Sequence, residues 1–301
     1  MTRLRRVISA GQRLLGRRTV SVVMTTYNGA AYLEEQLDSL RRQSRLPDQL
    51  IVSDDGSVDA TLDILRRFAE TAPFPVEISK NANRLGFALN FMRAARRAKG
   101  DIILFCDQDD VWHRNKIGVL ARAMPRRKRT VLSHDIEIFR SDGPTMPSYH
   151  KYLHDLGLPP SVTYKGCSLA VSRSFIDFWG WPPEDSSFAH DTWLAALATV
   201  MNERRYVGQV LIRHRMHDAN ASGQIVTLET VSRKTAALHP GGLADLSPAQ
   251  ILLAAIVGKK TQDRRELLIQ HINASAGKLD AATVANAMSL LRPKSSKTRR
   301  S

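Results

Sequence analysis

From residue 19 to residue 139 the chain alternates two hydrophobic spacings, and each spacing predicts its own kind of element. Val20-Ser21-Val22-Val23-Met24 is a β-branched run that reads as a strand, while residues 30–42 carry Leu33, Leu37 and Leu40 at helical spacing. Gln49-Leu50-Ile51-Val52-Ser53 predicts a second strand and residues 59–69 a second helix. A short strand at Val76-Glu77-Ile78, a helix over 87–98 stopped by Gly100, and the apolar strand Ile102-Ile103-Leu104-Phe105-Cys106 follow. A helix over 114–123 and a strand near Val131 close the series. Strands alternating with helices at this spacing predict an α/β fold, a mostly parallel sheet with helices on both faces.

Residues 140–162 contain Gly143, Pro144, Pro147, Pro159 and Pro160 and read as loop with room for one short helix. Periodicity returns as a strand over 164–171, a helix over 188–201 and a strand over 206–212. Beyond Gly223 the character changes. Ser247-Pro248-Ala249-Gln250 has a capping serine, a first-turn proline and a glutamine three positions on, which predicts a helix start. A further helix is expected from Asp280 to just before Pro293. The expected organisation is a basic segment at 1–18, one large domain at 19–223, and a helical appendage with a basic tail at 224–301.

Composition changes this picture in one respect. The 301 residues include 44 Lys+Arg against 29 Asp+Glu, a net charge of +15. Six arginines in residues 1–18, four bases in 126–129 and five in 292–301 account for that whole excess. The remainder is balanced, so a nucleic-acid-binding body, which carries its charge on a face, is not expected. Leu4, Val7, Ile8, Gly11, Leu14 and Leu15 recur at helical spacing among the first arginines, the pattern of a basic amphipathic helix on an anionic membrane surface. Cleaved targeting peptides and solvated tails share it. Two cysteines, Cys106 and Cys167, with no CxxC pair, give neither a disulfide framework nor a zinc site, which favours a reducing compartment. The longest apolar run, residues 251–257, is too short to span a membrane.

In an open parallel sheet, ligands bind beyond the carboxyl ends of the strands. Three polar clusters stand there: Thr25-Thr26-Tyr27-Asn28-Gly29, Asp54-Asp55-Gly56-Ser57 and Asp107-Gln108-Asp109-Asp110. Adjacent carboxylates repel unless protons or a cation neutralise them. Hard divalent ions such as Mg²⁺ and Mn²⁺ take oxygen ligands and commonly share carboxylates with substrate phosphates. An acidic triplet alone also describes a solvated loop.

Taken together, these motifs resemble the family 2 glycosyltransferases, inverting enzymes of the GT-A fold that use nucleotide sugars. The likeness runs from Val20 through Asn28-Gly29, Leu37-Asp38-Ser39-Leu40, Gln43, Asp54-Asp55-Gly56-Ser57, Asp59, Thr61, Asn81, Gly86, Asn90 and Gly100-Asp101 to the Asp-x-Asp strand. Gly166-Cys167-Ser168, His190-Asp191-Thr192-Trp193 and the stretch from Arg215 through His217 and Asn220 to Ser222-Gly223 resemble its rhamnosyltransferase-like branch. The likeness covers residues 19–223. It implies a nucleotide cradle of Thr25, Tyr27 and Asp55, with Asp54 as the neighbouring alternative and Arg84 near the base. It implies Asp107 and Asp109 at the ribose and metal positions, with Asp110 as an alternative metal ligand and His217 approaching the diphosphate or metal. Asp191 takes the position of the catalytic base. The implied cofactors are Mg²⁺ or Mn²⁺ and a donor, dTDP-rhamnose first and UDP-hexoses next. The implied acceptor is a glycan or a lipid-linked glycan of a cell-surface polymer, with the protein cytoplasmic or peripheral on the inner face of the membrane. The alternatives are a catalytically inactive nucleotide-sugar-binding protein and a nucleic-acid-binding protein.

Overall fold

A computed structural model describes residues 16–140, 143, 145–159, 162, 164–217, 220, 246–257 and 261–291. The expected amphipathic helix in residues 1–15, the Ser222-Gly223 end of the last motif, residues 221–245 and the basic tail from 292 lie outside them.

The described strands are β1 (Val20–Thr26), β2 (Gln49–Asp54), β3 (Val76–Lys80), β4 (Ile102–Cys106), β5 (Val111–Trp112), β6 (Val131–Phe139), β7 (Leu169–Ser172) and β8 (Arg204–Arg215). They form one sheet in the order β3-β2-β1-β4-β7-β6-β8-β5. The first four are parallel. β7 then runs antiparallel to both β4 and β6, β6 is parallel to β8, and β5 is antiparallel to β8. The fold is thus α/β as expected, with the parallel half built from the strands the sequence pattern marked most clearly. Every residue of β1 and β4 is buried, because both sheet faces are covered.

The helices are α1 (Ala30–Arg41), α2 (Thr61–Thr71), α3 (Phe87–Arg96), α4 (Lys116–Ala123), α5 (Tyr149–Asp155), α6 (Arg173–Trp179), α7 (His190–Val200), α8 (Pro248–Val257), α9 (Thr261–Ser275) and α10 (Ala281–Leu291). Strand alternation sorts the side chains between two cores. Val20, Val22 and Met24 face the core holding Leu33, Leu37 and Leu65, whereas Val23, Ile103 and Phe105 face the core holding Phe91, Trp193 and Leu194. The C-terminal helices belong to the second core through Leu252, Leu268, Ile272, Ala287 and Leu291, all 2% exposed or less. At the start of α8 the Ser247 N–H donates to Gln250 Oε1 (2.9 Å) and the Gln250 N–H donates to Ser247 Oγ (3.3 Å), the reciprocal cap that the sequence predicts. No helix among the described residues is long and apolar enough to cross a membrane.

β2 and β4 flank β1 on opposite sides, so the chain's crossovers diverge at its carboxyl end and open a crevice there. Gly100 allows β4 to reach β1: a Cβ on it would lie 2.6 Å from the Ser21 nitrogen, and its N–H donates to Ser21 Oγ at 2.8 Å.

Candidate active site

The crevice is a cavity of about 410 Å³ at the carboxyl ends of β1, β2 and β4, closed on the far side by the first turn of α7. Thr25, Tyr27, Asp55, Arg84, Asp107, Asp109, Asp191 and Asn220 all line it. Residues from three parts of the chain converge there, whereas Asp54, Asp110 and His217 are not among its lining.

Two turns, after β1 and after β2, form one side of the cavity. Gln108 joins them to the acidic motif, since its Oε1 accepts from the Tyr27 N–H (2.9 Å) and its Nε2 donates to the Tyr27 carbonyl (3.1 Å). Gly29 is required by that clamp, because a Cβ there would lie 2.2 Å from Gln108 Oε1. Asp54 and Asp55, adjacent in sequence, do different work. Asp54 is fully buried and does not line the cavity; it accepts from the Ser57 N–H (2.8 Å), Ser57 Oγ (2.5 Å) and Thr26 Oγ1 (2.8 Å), which fixes the turn after β2. Asp55 reaches the cavity, and it accepts from the Leu85 N–H, the Gly86 N–H (both 2.8 Å) and Asn81 Nδ2 (2.9 Å). Those bonds hold the 81–86 turn so that the Arg84 guanidinium sits 3.8 Å over the Tyr27 ring.

The acidic motif divides between two clusters. Asp109 Oδ2 lies 2.8 Å from His217 Nε2 and accepts from Asn220 Nδ2 at 3.2 Å, on the cavity wall. Asp110 turns inward, fully buried, with Oδ1 bonded to His214 Nδ1 (2.8 Å) and the Arg215 N–H (3.1 Å). Asp107, Asp110, Cys167 and His214 bring their ligand atoms within 4.8 Å of one another. Asp110 Oδ2 and His214 Nε2 have no partner there. A buried carboxylate oxygen and a buried imidazole nitrogen without partners are donors suited to a cation, and so is the Asp109–His217 pair. The first set offers four ligand atoms to a divalent ion, and Asp109 and His217, bonded to each other, offer two.

Burial, then the charges of Asp110, Asp109 and Asp191, push the Asp107 carboxyl well above the usual carboxylate range. Asp109 is raised by burial and by Asp110. Asp110 is held low, its burial outweighed by His214 and the Arg215 N–H. Lys116, fully buried beneath them, donates to the Cys167 carbonyl (2.7 Å) and lies 3.8 Å over the Trp112 ring. Burial lowers its pKa to about 8.

Asp191 stands in the first turn of α7, whose N-cap is Ala189, so the aspartate is not the helix cap. Its Oδ1 accepts from the Thr192 N–H at 2.6 Å. Burial and the Asp191 charge raise the neighbouring Tyr164 to about 12. The sequence reading missed Gln108, Lys116, Lys165 and His190 as members of this site. Gln108 lay in plain view at the centre of Asp-x-Asp, and His190 beside Asp191 in the His190-Asp191-Thr192-Trp193 motif; Lys116 and Lys165 have no local signal.

The crevice at the β1–β4 switch point thus gathers Thr25, Tyr27, Asp55, Asp107, Asp109 and Asp191 on one cavity. The sequence model of "Glycosyl transferase family 2" matches residues 21–177, and the chain belongs to that family. It is 39% identical over 224 residues to a dTDP-rhamnosyl transferase, RfbG of Shigella flexneri, covering 68% of this chain and 75% of that protein. It is 29% identical over 145 residues to the putative teichuronic acid biosynthesis glycosyltransferase TuaG of Bacillus subtilis, covering 48% of this chain and 55% of that protein. Among solved structures, TarS from S. aureus in complex with UDP superposes with a TM-score of 0.56 at 18% identity, covering 91% of this chain and 89% of that one. The mannosyltransferase PcManGT from Pyrobaculum calidifontis, in complex with GDP-Man and Mn²⁺, gives 0.56 at 19% identity, covering 91% and 79%. The fold is thus that of the GT-A glycosyltransferases, and the protein is a glycosyltransferase.

Proposed function

We propose that the protein is an inverting, metal-dependent glycosyltransferase that moves rhamnose from dTDP-rhamnose to a hydroxyl of a glycan or lipid-linked acceptor in cell-surface polysaccharide synthesis. UDP-hexoses are the next donors to try. The observation that carries the chemistry is that Asp191 lines the same cavity as Asp107 and Asp109, the latter held 2.8 Å from His217 Nε2. The 39% identity to a dTDP-rhamnosyl transferase supports the donor, and the likeness to TuaG, a putative teichuronic acid biosynthesis glycosyltransferase, supports the polymer.

In this reading Tyr27 and Arg84 hold the base, with Thr25 and Asp55 at the nucleoside. Asp109 and His217 hold Mg²⁺ or Mn²⁺, with Asp107 and Asp110 beside them. The cation, when bound, neutralises the charge growing on the departing diphosphate. The acceptor hydroxyl attacks the anomeric carbon opposite the nucleoside diphosphate. As the new C–O bond forms and the old one breaks, Asp191 takes the hydroxyl proton, general base catalysis contributing about 10²–10⁴-fold. Lys165, which lines the cavity and eases the raised Asp107, adds positive charge on the same side.

The catalytic unit in this reading is residues 19–223, with the C-terminal helices covering its second core. We place the protein peripherally on the inner face of the cell membrane, through the basic segment 1–18. Support comes from its described end. Arg18 donates to the Pro125 (2.9 Å) and Ala121 carbonyls, beside exposed Arg122, Arg126, Arg127 and Lys128. Arg18, in the described end of the segment, therefore stands beside the second basic cluster. The deciding experiment incubates full-length protein with Mn²⁺ or Mg²⁺ and a panel of nucleotide sugars, reading thermal shift and sugar release. Stabilisation and turnover with dTDP-rhamnose support the proposal; folded protein inert to every donor refutes it.

A further inference from the structure

His190 is 2% exposed, yet neither ring nitrogen has a hydrogen-bond partner. The ring is wedged between Phe91 (centroids 4.4 Å apart) and Phe105 (4.8 Å), and it lines the cavity beside Asp191. Its Nε2 points at Gly166, where a Cβ would lie 2.8 Å away and 3.6 Å from Asp191 Cβ. A buried imidazole that leaves both nitrogens unsatisfied carries their desolvation cost, which a ligand bound beside it can repay. Packing alone would be served better by a phenylalanine, given the two aromatic neighbours.

Resting on the donor reading above, we propose that His190 binds a hydroxyl of the transferred sugar through Nε2, its ring shifting from the covered position beside Gly166 as the sugar enters, and that Gly166 is kept without a side chain because a Cβ would fill the space at that nitrogen. Burial lowers the ring's pKa, so the neutral imidazole presents one donor and one acceptor nitrogen, which suits an uncharged hydroxyl. The location agrees. His190 and Asp191 are consecutive at the start of α7, so the hydroxyl contact and the proposed base approach one bound sugar from one turn of helix. Phe91 gives the same floor an apolar face, as a sugar ring with few polar edges requires.

The test compares wild type, His190→Phe and His190→Gln, with Mn²⁺ present, for affinity toward dTDP-rhamnose and toward dTDP. Melting temperature is measured on the same samples. His190→Phe keeps the aromatic packing and removes the nitrogens; it is expected to weaken dTDP-rhamnose by about fivefold or more while leaving dTDP within about twofold. His190→Gln, which restores an amide near the Nε2 position, is expected to recover part of the loss. Unchanged dTDP-rhamnose affinity in His190→Phe overturns the assignment, and so does equal loss toward both nucleotides, which is the mark of a structural role. A defect confined to acceptor KM overturns it as well. Wild-type protein that binds no donor better than its free nucleoside diphosphate overturns the donor reading itself.

Discussion

His217 Nε2 lies 2.8 Å from Asp109 Oδ2, although 108 residues separate the two in sequence. The contact is built by β8, whose end carries Arg215 over the Asp109 carbonyl (3.0 Å), and by Asn220, which bonds both Asp109 Oδ2 and the Arg215 carbonyl. The histidine ring packs on Tyr32 of α1 at 4.8 Å, which fixes its orientation. Two donors held this way suit one cation. Asp109→Asn and His217→Ala are each expected to weaken Mn²⁺ binding by about 10–100-fold, and Asn220→Ala by less. Calorimetric titration with Mn²⁺ checks this, and Mn²⁺ affinity untouched in both variants would move the ion to the Asp107–Asp110 cluster.

Asp107 makes metal binding depend on pH. Its carboxyl is raised by burial and by three neighbouring aspartates, so it keeps a proton where an ordinary aspartate has lost one. The folded state then binds more protons than the unfolded chain above the ordinary aspartate range. Stability of the metal-free protein therefore falls as pH rises from that range through the raised value. A cation replaces the proton. Stabilisation by Mn²⁺ is expected to be larger at about pH 8 than at about pH 6, with protons released on binding. Thermal shift at the two pH values, and titration in buffers of different ionisation enthalpy, read both effects.

Asp191 should separate chemistry from binding. Asp191→Asn keeps the shape and the bond from the Thr192 N–H but cannot take a proton. Turnover is expected to fall by about 10²–10⁴-fold with donor affinity nearly unchanged. Measuring kcat and donor Kd on the same preparation decides it; retained turnover would remove Asp191 from the role of base.

Lys116 is the internal counter-charge of the acidic motif. Its folded pKa of about 8 is below the ordinary 10.5, so the unfolded chain binds more protons between those values and stability gains with rising pH across that window. Lys116→Met should flatten that slope. It should also move the acidic limb of the pH–activity profile upward by about one unit, because Asp107 and Asp110 lose a nearby positive charge. Chemical denaturation at several pH values and a pH–rate series test the two halves independently.

The strands β1, β2 and β4 and the clusters at their ends were legible because both-face burial demands unbroken apolar runs, and the turns after them demand Asp, Asn, Gly and Ser. β5 was not, since two residues carry no period. α6 was hidden although Ser172 caps it (accepting from the Phe175 N–H at 3.3 Å) and Gly180, at φ 70°, ends it; it follows β7 without a loop, and the pattern reads through. In the site, the sequence named the cavity's acidic residues. It favoured Asp55 but kept Asp54 as the alternative, since which carboxylate turns inward depends on the backbone of the turn. His190 was passed over because a buried histidine announces itself only by the partners it lacks.

The division of labour between Asp54 and Asp55 gives the last prediction. Asp55 spends its oxygens on the Leu85 and Gly86 N–H groups and on Asn81, and those bonds carry Arg84 over Tyr27. If Asp55 acts mainly through that turn, removing it removes the Arg84–Tyr27 stack as well. Arg84→Ala alone should weaken nucleoside diphosphate binding by the worth of a guanidinium–ring contact, about 0.5–1 kcal/mol at an accessible site. Asp55→Asn, which leaves the two N–H groups poorly satisfied, should cost at least as much. The double variant should then lose less than the two single losses added, with a coupling of about 0.5 kcal/mol or more. Full additivity in dTDP affinity would show instead that Asp55 contacts the nucleoside on its own account and that Arg84 is placed without it.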